Sequence, residues 1–427
     1  QIYNNVAYIN REIHIMPTSA PPQYFDCDNH FYESAESFLR YLPEQYKQAL
    51  QFVDVEGRTK MMVNGKLSDY IPNPTFEVVA APGSTVEYFK GNNPDGKSYR
   101  DFMVVERCIP EYRIKTAERY QLLQQHGLRG TLIFPTLASV VEGHMYEDPD
   151  LCHAMIHSLN RWMLDEWGFG EDGKFFATPV ITLMDADKAL EEAKWIAAQG
   201  SKVVLMRPSY VPGANGNRGM GSAEFDPVYS LLEAHDIVIA FHNSDNGVYD
   251  LYERHQRSEV ALQGEYQPFK KSDPLEMVMD LNQVTVGHNL AGLICHGVFD
   301  RHPKLKVCYV ETGVAWLYPL WDRLEHVYKM APQLFTEHPH DTIRKHVWFH
   351  PHFEENVDRL VAMVGVDHII FGSDWPHPEG LARPADWVEC LANFSDEDKA
   401  KIMGGNMMKL LNLDDSQNDR AAGTQVA

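Results

Sequence analysis

Short apolar runs alternate with longer amphipathic stretches along most of the chain. Between the runs lie stretches with helical periodicity, such as Ala186–Gln199 and Pro227–Ala234. Most of the runs are apolar almost throughout, as in a parallel sheet that is buried on both faces. Eight such β/α units predict a closed (β/α)8 TIM barrel rather than an open sheet. The predicted strands are Tyr24–His30, Thr131–Thr136, Val180–Leu183, Lys202–Arg207, Ile237–His242, Lys306–Glu311, His346–His350 and His368–Asp374.

Two segments between these units are too long to be simple loops. Gln51–Asp101 is rich in Gly, Asn and Pro, which predicts a small β-hairpin insertion between the first and second strands. Asn243–Leu281 follows the fifth strand, and insertions at that end of a barrel commonly cover the active site, so we expect a substrate lid. We therefore expect one barrel domain over residues 1–413, followed by a polar, disordered tail at 414–427.

Composition excludes several classes of protein. Of the 427 residues 44 % are hydrophobic, yet no apolar run is long enough to span a membrane. The formal charge of −22 argues against a nucleic-acid partner, because phosphate binding needs clustered Lys and Arg. The six cysteines have no CxxC spacing, which favours a reduced, cytoplasmic compartment. We expect a small-molecule substrate and neither nucleic acid nor membrane as a partner, while a homodimer stays open.

Acidic and histidine side chains stand at the C-terminal ends of three predicted strands. The first strand ends in Asp28 and His30, which are two residues apart and so point to the same face. His242 closes the fifth strand and Asp374 the eighth, where a buried Asp is costly unless it is paired or binds a metal. Singly, each residue is as consistent with a surface turn or a core contact. Together they predict a site for one divalent transition metal, Zn²⁺ first, with Mn²⁺ and Fe²⁺ as alternatives.

Several longer segments resemble one known family in the right order. They include DCDNH in the first strand, GLRGTLIFPT in the second, GVFDRHPKLKVCYVETG around the sixth and IIFGSDWPH in the eighth. From Phe25 to Leu413, apart from the insertions, the chain resembles the amidohydrolase superfamily, in the branch of aminocarboxymuconate-semialdehyde decarboxylase and related aromatic-acid decarboxylases. The resemblance implies a metal-dependent barrel enzyme. It also implies the same set of metal ligands: Asp28, His30, His242 and Asp374.

Two strand ends set this chain apart from its family. Dinuclear members carry a bridging Lys at the end of the fourth strand, where this chain has Arg207, so the resemblance implies a single metal. Arg207 is a candidate for binding a substrate carboxylate and equally for a structural ion pair. The decarboxylases carry a His at the end of the sixth strand, where this chain has Glu311, which would repel an anionic substrate. His350 and His377 are further candidates for substrate contacts.

Two reactions are compatible with this site. In a hydrolase the metal would activate a water molecule, Asp374 would act as general acid and base, and Glu311 would orient the water. In a decarboxylase the metal would bind the substrate's carboxylate, and a protonated Asp374 would deliver a proton to carbon as carbon dioxide leaves. Glu311 favours hydrolysis of a small cyclic or aromatic substrate, so hydrolysis is the expectation. Decarboxylation of an aromatic or unsaturated acid is the alternative, and a barrel without catalysis is a third hypothesis, which the complete ligand set opposes.

Overall fold

The computed structural model describes most of the chain. The described residues are 24–68, 71, 73–213, 216–244, 247, 274–279 and 281–413. The predicted tail at 414–427 lies outside them, as does most of the predicted lid, Asn243–Leu281. None of the described helices is both long enough and apolar enough to cross a membrane.

Helices and short strands alternate through the described chain. The strands are β1 (Tyr24–Asp26), β2 (His30–Phe31), β3 (Leu50–Val55), β4 (Arg58–Val63), β5 (Lys66–Ser68), β6 (Val78–Ala80), β7 (Val105–Arg107), β8 (Leu128–Pro135), β9 (Phe175–Ala177), β10 (Val203–Met206), β11 (Val238–His242), β12 (Val307–Val310) and β13 (Val347–Phe349). The α-helices are Ala35–Leu39, Val86–Phe89, Tyr99–Phe102, Ala117–Gln125, Ala138–His144, Pro149–Glu166, Ala186–Ala198, Asp226–Ala234, Pro274–Met279, Leu281–Cys295, Val298–Arg301, Leu317–Met330, Pro339–His346, Val357–Val364, Asp396–Ala400 and Asn406–Leu410. Two of these helices agree with the predicted amphipathic stretches to within one residue at each end: Ala186–Ala198 and Asp226–Ala234.

Two parallel sheets form the centre of the molecule. In one, β8 pairs with β1, β2 and β9, and the other has the order β10-β11-β12-β13. Isolated bridges join Val180, three residues after β9, to Leu205 of β10, and Ile369 to Phe349 of β13. Buried side chains from both sheets pack together in one apolar cluster, as expected for parallel strands that are buried on both faces. This cluster includes Phe25, Leu132, Phe176, Val203, Val238, Cys308 and Ile370.

The first and last predicted strands differ from the observed ones. The first is divided into β1 and β2, because the Asp28 N–H donates to the Asp26 carboxylate at 3.0 Å instead of continuing the strand ladder. His368–Asp374 contains no regular strand, although Ile369 forms a bridge to β13. Its extended backbone ends at Asp374, whose φ of 54° lies in the left-handed region.

The third predicted strand, Val180–Leu183, is wrong. The strand lies earlier, at β9, and Val180 keeps only its bridge to β10. Pro179 has no N–H to offer a neighbouring strand. The Val180 N–H donates to the Asn160 side chain at 2.8 Å, so the regular ladder stops there.

Antiparallel strands lie in the segment where turn-forming residues predict hairpins. β3, β4 and β5 form a three-stranded sheet, and β6 pairs with β7, which extends beyond the predicted limit at Asp101. Each connection in the three-stranded sheet has two residues with positive φ, as in type I′ turns. The turn residues are Glu56 (φ 53°), Gly57 (φ 76°), Asn64 (φ 48°) and Gly65 (φ 74°).

Candidate metal centre

Four side chains that are far apart in sequence converge at the C-terminal ends of the parallel strands. Asp28 and His30 follow β1, His242 ends β11 and Glu311 follows β12. The His242 Nε2 atom lies 3.2 Å from both Asp28 Oδ1 and His30 Nε2. It lies 3.1 Å from Glu311 Oε2, and one ligand atom from each of the four residues falls within 4.8 Å of the others. Ligands that share one ion at bonds of about 2 Å have separations of this size.

A second group overlaps the first and contains Asp374. The Asp374 Oδ1 atom lies 3.4 Å from His30 Nε2 and 2.7 Å from His377 Nδ1. His30 and Glu311 belong to both groups. The structure thus gathers the four predicted ligands in one place and adds Glu311 as a further candidate ligand. Which of these residues bind the metal stays a prediction.

Hydrogen bonding prepares the His242 ring for a cation. Its Nδ1 atom lies 2.7 Å from the Asn243 carbonyl, which can only accept, so Nδ1 carries the proton. Nε2 therefore faces the Asp28 carboxylate, an arrangement that calls for a positive charge: a second proton on the ring, or a metal ion bound by the Nε2 lone pair. The second carboxylate oxygen of Asp28 is buried without a hydrogen-bond partner. These donors fit a divalent metal ion, whose ligands are oriented by such outer hydrogen bonds.

The two aspartates of the centre differ in acidity. Burial acts to raise the pKa of Asp28, but hydrogen bonds from His242 and His30 outweigh it and hold this pKa well below its ordinary value. Burial raises the pKa of Asp374 well above its ordinary value, and the negative charge of Glu311 adds to the effect. Asp28 is therefore a carboxylate, whereas Asp374 retains a proton in the absence of a cation.

A chain of hydrogen bonds assigns that proton to Asp374. Where the β2–β8 pairing ends, the Thr136 N–H donates to Glu33 at 3.0 Å, and the Thr136 hydroxyl donates to the Phe31 carbonyl at 2.9 Å. Thr136 Oγ1 must then accept from His377 Nε2, 3.2 Å away. The lone pair of His377 Nδ1 consequently faces Asp374, and the proton in their 2.7 Å contact belongs to Asp374. Burial also lowers the pKa of His377 well below its ordinary value, which agrees with a neutral ring.

Asp26 lies beneath the metal ligands and connects the first and last strand ends. Its carboxylate accepts the backbone N–H groups of Asp28 at 3.0 Å and Ser373 at 2.9 Å. It also accepts the Ser373 hydroxyl at 2.5 Å and the Asn29 side-chain amide at 3.1 Å. The sequence points to Asp26 only through its two-residue spacing from Asp28, and its role as a connector depends on residues more than three hundred positions away.

The candidate metal ligands other than Asp28 line a cavity of about 670 Å³. Every site residue expected from the sequence except Asp28 contributes to its wall, and the helix Val86–Phe89 adds aromatic side chains. Both ring nitrogens of His350 are engaged within the protein, since its Nδ1 accepts the Glu311 N–H and its Nε2 donates to the Gly372 carbonyl, both at 3.1 Å. Those of His377 are engaged in the same way by Thr136 and Asp374. Substrate contacts by Arg207, His350 and His377 stay predictions.

A separate cluster of metal-binding residue types is held by hydrogen bonds instead. It comprises Glu325, His338 and His340, away from the cavity lining. The His338 Nδ1 atom accepts the His340 backbone N–H at 3.2 Å, so its Nε2 carries the proton toward Glu325, 3.0 Å away. A ring with both nitrogens engaged in this way has no lone pair left for a metal.

Comparison with known proteins bears on the family of the chain. The sequence profile of the family described as Amidohydrolase matches residues 26–413. A solved amidohydrolase from Mycobacterium avium subsp. paratuberculosis is 34 % identical, with a TM-score of 0.84 over 91 % of this chain and 99 % of that one. The 2-amino-3-carboxymuconate-6-semialdehyde decarboxylase of Dictyostelium discoideum is 32 % identical over 131 residues, which are 29 % of this chain and 36 % of that protein.

A more distant similarity concerns the fold alone. The solved dihydroxybenzoic acid decarboxylase of Polaromonas sp. JS666, which contains manganese, is 18 % identical, with a TM-score of 0.54 over 80 % of this chain and 96 % of that one. The resemblance inferred from the sequence motifs is confirmed by the family profile, which extends from the first strand to the last helix. The chain belongs to the amidohydrolase family.

Proposed function

We propose that this protein is a metal-dependent decarboxylase of an aromatic or unsaturated carboxylic acid. The observation that carries the proposal is the 2.7 Å contact between Asp374 and His377 on the cavity wall, because this pair can hold the proton that delivery to carbon requires. The curated relative from Dictyostelium is a decarboxylase, which supports the same reaction. The sequence favours hydrolysis because Glu311 would repel an anionic substrate. Glu311, however, lies 3.4 Å from His30 and 3.1 Å from His242, where a bound cation would offset its charge.

We infer in addition that the parallel strands close into a TIM barrel, with the antiparallel strands as an insertion. The bridge from Val180, just after β9, to Leu205 of β10 supports a closed arrangement, as does the apolar cluster that the two sheets share. The segment His368–Asp374 connects β13 to the end of β1. The Ile370 N–H donates to the Phe349 carbonyl and the Cys27 N–H donates to the Phe371 carbonyl, both at 2.9 Å. The cavity then lies where barrel enzymes place their chemistry.

The metal would be held by the histidines and carboxylates described above, with one ion per chain. Asp28, His30, His242 and Glu311 face one another, and Asp374 completes the ring on the cavity side. A bound divalent cation supplies positive charge that fixes and polarises the substrate's carboxylate. This donor set suits Zn²⁺ and Mn²⁺. Manganese in the Polaromonas decarboxylase supports testing Mn²⁺ beside Zn²⁺.

The residues of the chain divide the remaining work. Asp374 opens on the cavity beside His377, and this pair holds a proton and transfers it to the carbon that loses carbon dioxide. Thr136 and His377 hold that carboxyl group in place through the hydrogen bonds at 3.2 and 2.7 Å. Arg207 on the cavity wall offers a planar pair of donors to a second anionic group of the substrate.

The test is a substrate screen of protein loaded with Mn²⁺ or Zn²⁺. Aromatic acids, including 2,6-dihydroxybenzoate, are offered together with amides and lactones, and carbon dioxide release and new acid or amine groups are followed in parallel. We expect carbon dioxide from an aromatic or unsaturated acid in the presence of metal only. Hydrolysis of an amide or lactone without any release of carbon dioxide would overturn the proposal.

A further inference from the structure

A buried carboxylate opens on the cavity outside the metal centre. Glu142 lies on the helix Ala138–His144, which follows β8, and is only 7 % exposed while lining the cavity. Across the described residues we find no donor or cation in contact with its carboxylate group. An ionised group in such a place is costly unless something compensates its charge. A cationic partner for the Glu142 carboxylate can reach it from the cavity.

Arg207 occupies the same region of the cavity. Glu142 and Arg207 both line the main cavity and the small cleft beside it. Besides burial, which raises the pKa of the Cys152 thiol well above its ordinary value, the negative charge of Glu142 raises this pKa and the positive charge of Arg207 lowers it. Both charges therefore act near the same point. A cationic group of a ligand that reaches Glu142 would therefore lie in the same part of the cavity as Arg207.

The rest of the cavity is short of positive charge. Even without Asp374, its described lining contains the carboxylates of Glu142, Glu311, Glu354 and Glu379, against a single Arg. One divalent cation at the metal centre leaves this excess only partly compensated. A positively charged group on the substrate is consequently attracted, and a second anionic group away from the metal is disfavoured except beside Arg207.

We propose that Glu142 is a binding residue for a protonated amine, so that the preferred substrates are aromatic acids that carry an ammonium group. The inference rests on the proposed function only in that the acid group of the substrate lies at the metal. A hydroxyl donor would satisfy the hydrogen bond but leave the charge of Glu142 uncompensated, whereas an ammonium group does both. Tyr88, Phe89 and Phe353 supply ring faces along the same cavity, which suit an aromatic ring and a neighbouring cation.

Three probes that differ in one group test the proposal on the metal-loaded protein. They are 4-(aminomethyl)benzoate, 4-(hydroxymethyl)benzoate and 4-methylbenzoate, with binding measured by calorimetry. We expect the aminomethyl compound to bind at least about tenfold more tightly than the other two, as for a charge-assisted hydrogen bond. Glu142→Gln should abolish the preference with the metal content and the affinity for 4-methylbenzoate unchanged, and Glu142→Asp should retain part of it.

The matched control is Glu354→Gln, which removes a carboxylate from the exposed rim of the same cavity and should keep most of the preference. Equal binding of the three probes, or a preference that survives Glu142→Gln, would overturn the proposal. Circular dichroism confirms that each variant is folded. Because binding is measured without turnover, an amine preference in a protein that releases no carbon dioxide would contradict only the proposed reaction.

Discussion

Glu311 and Asp374 have positive φ values, 52° and 54°, and both lie beside His30. A left-handed backbone costs roughly 1–2 kcal/mol for residues with a β-carbon, so the surrounding structure must hold them there. The Asp374 N–H donates to the Asp28 carbonyl at 2.8 Å, and the Glu311 N–H donates to His350 Nδ1 at 3.1 Å. At the residue scale, the left-handed backbone at these two positions directs both carboxyl groups toward His30.

Asp374→Asn tests the proton on this residue. Asparagine adopts the left-handed conformation readily and cannot donate an acidic proton, so we expect the fold to keep its stability while turnover falls by about 10²-fold or more. Turnover and thermal unfolding are measured on the same metal-loaded sample. Glu379→Gln, a neighbouring carboxylate on the cavity wall, serves as the control. Near-normal turnover in Asp374→Asn would remove the acid from the mechanism.

Glu311→Gln separates a metal ligand from a base. If Glu311 is a ligand of the centre, removal of its charge should lower the affinity for the metal by about tenfold or more. Added metal should then restore activity. Metal content and metal-dependent turnover are measured across a titration. If Glu311 were instead the base of a hydrolase, the variant would keep its metal and lose its turnover, and extra metal would not rescue it.

At the scale of elements, the site is built where the strands end. The carboxylate of Glu33 accepts the N–H groups of Thr136 at 3.0 Å and Leu137 at 2.7 Å, where β8 ends and the helix Ala138–His144 begins. Glu33 thus fixes the position of the hydroxyl that orients His377. Asp26 likewise connects the ends of the first and last predicted strands, because it accepts the N–H groups of Asp28 and Ser373. Buried carboxylates that accept several N–H groups serve here as joints between loops.

Asp26→Ala should therefore damage the centre as well as the fold. The change leaves two backbone N–H groups and two side-chain donors of the joint without an acceptor, so we expect a loss of about 2 kcal/mol or more in the free energy of unfolding. Metal affinity should fall with it, because Asp28 is no longer held. Asp54→Ala, which removes an exposed acceptor of one turn N–H, is the comparison. Unchanged metal affinity in Asp26→Ala would show that the joint does not position the ligand.

At the scale of the whole molecule, the metal couples function to stability. A ligand that binds only the folded chain adds about 2.7 kcal/mol to its stability at a concentration of 100 times its dissociation constant. We expect about one divalent metal ion per chain. Chelation should abolish carbon dioxide release and lower the unfolding midpoint, and Mn²⁺ or Zn²⁺ should restore both. Full activity in protein shown by elemental analysis to be metal-free would refute the metal centre.

Buried histidines make the fold sensitive to acid. Burial lowers the pKa of His126 to about 3, and the nearby charge of Arg119 adds to the effect. Because this pKa is below its unfolded value of 6.5, the neutral ring contributes stability above pH 6.5 that is lost as the pH falls toward 3. Between pH 7 and pH 5 this single group should remove about 2 kcal/mol. Urea unfolding of His126→Gln should show a smaller loss over that range, whereas His235→Gln, on the surface, should behave like the parent.

The sequence by itself determined which strand ends bring histidine and acidic side chains together. Asp28, His30, His242 and Asp374 each follow an apolar run, and a polar group at that position must be paired, hydrated or bound to a metal. Local pattern also predicted the helices at Ala186 and Asp226 and the turns of the antiparallel strands, because these depend on neighbours within a few residues.

Only the tertiary structure decided the roles within the site. Whether Glu311 faces a substrate or a metal depends on how close β12 lies to β1 and β11, which no local pattern records. The contact between Asp374 and His377 depends on Thr136 at the end of β8, and the exposure of Glu142 to the cavity follows from the packing of its helix. Hydrogen-bond partners and desolvation arise from contacts between distant segments, and they set charge and proton positions.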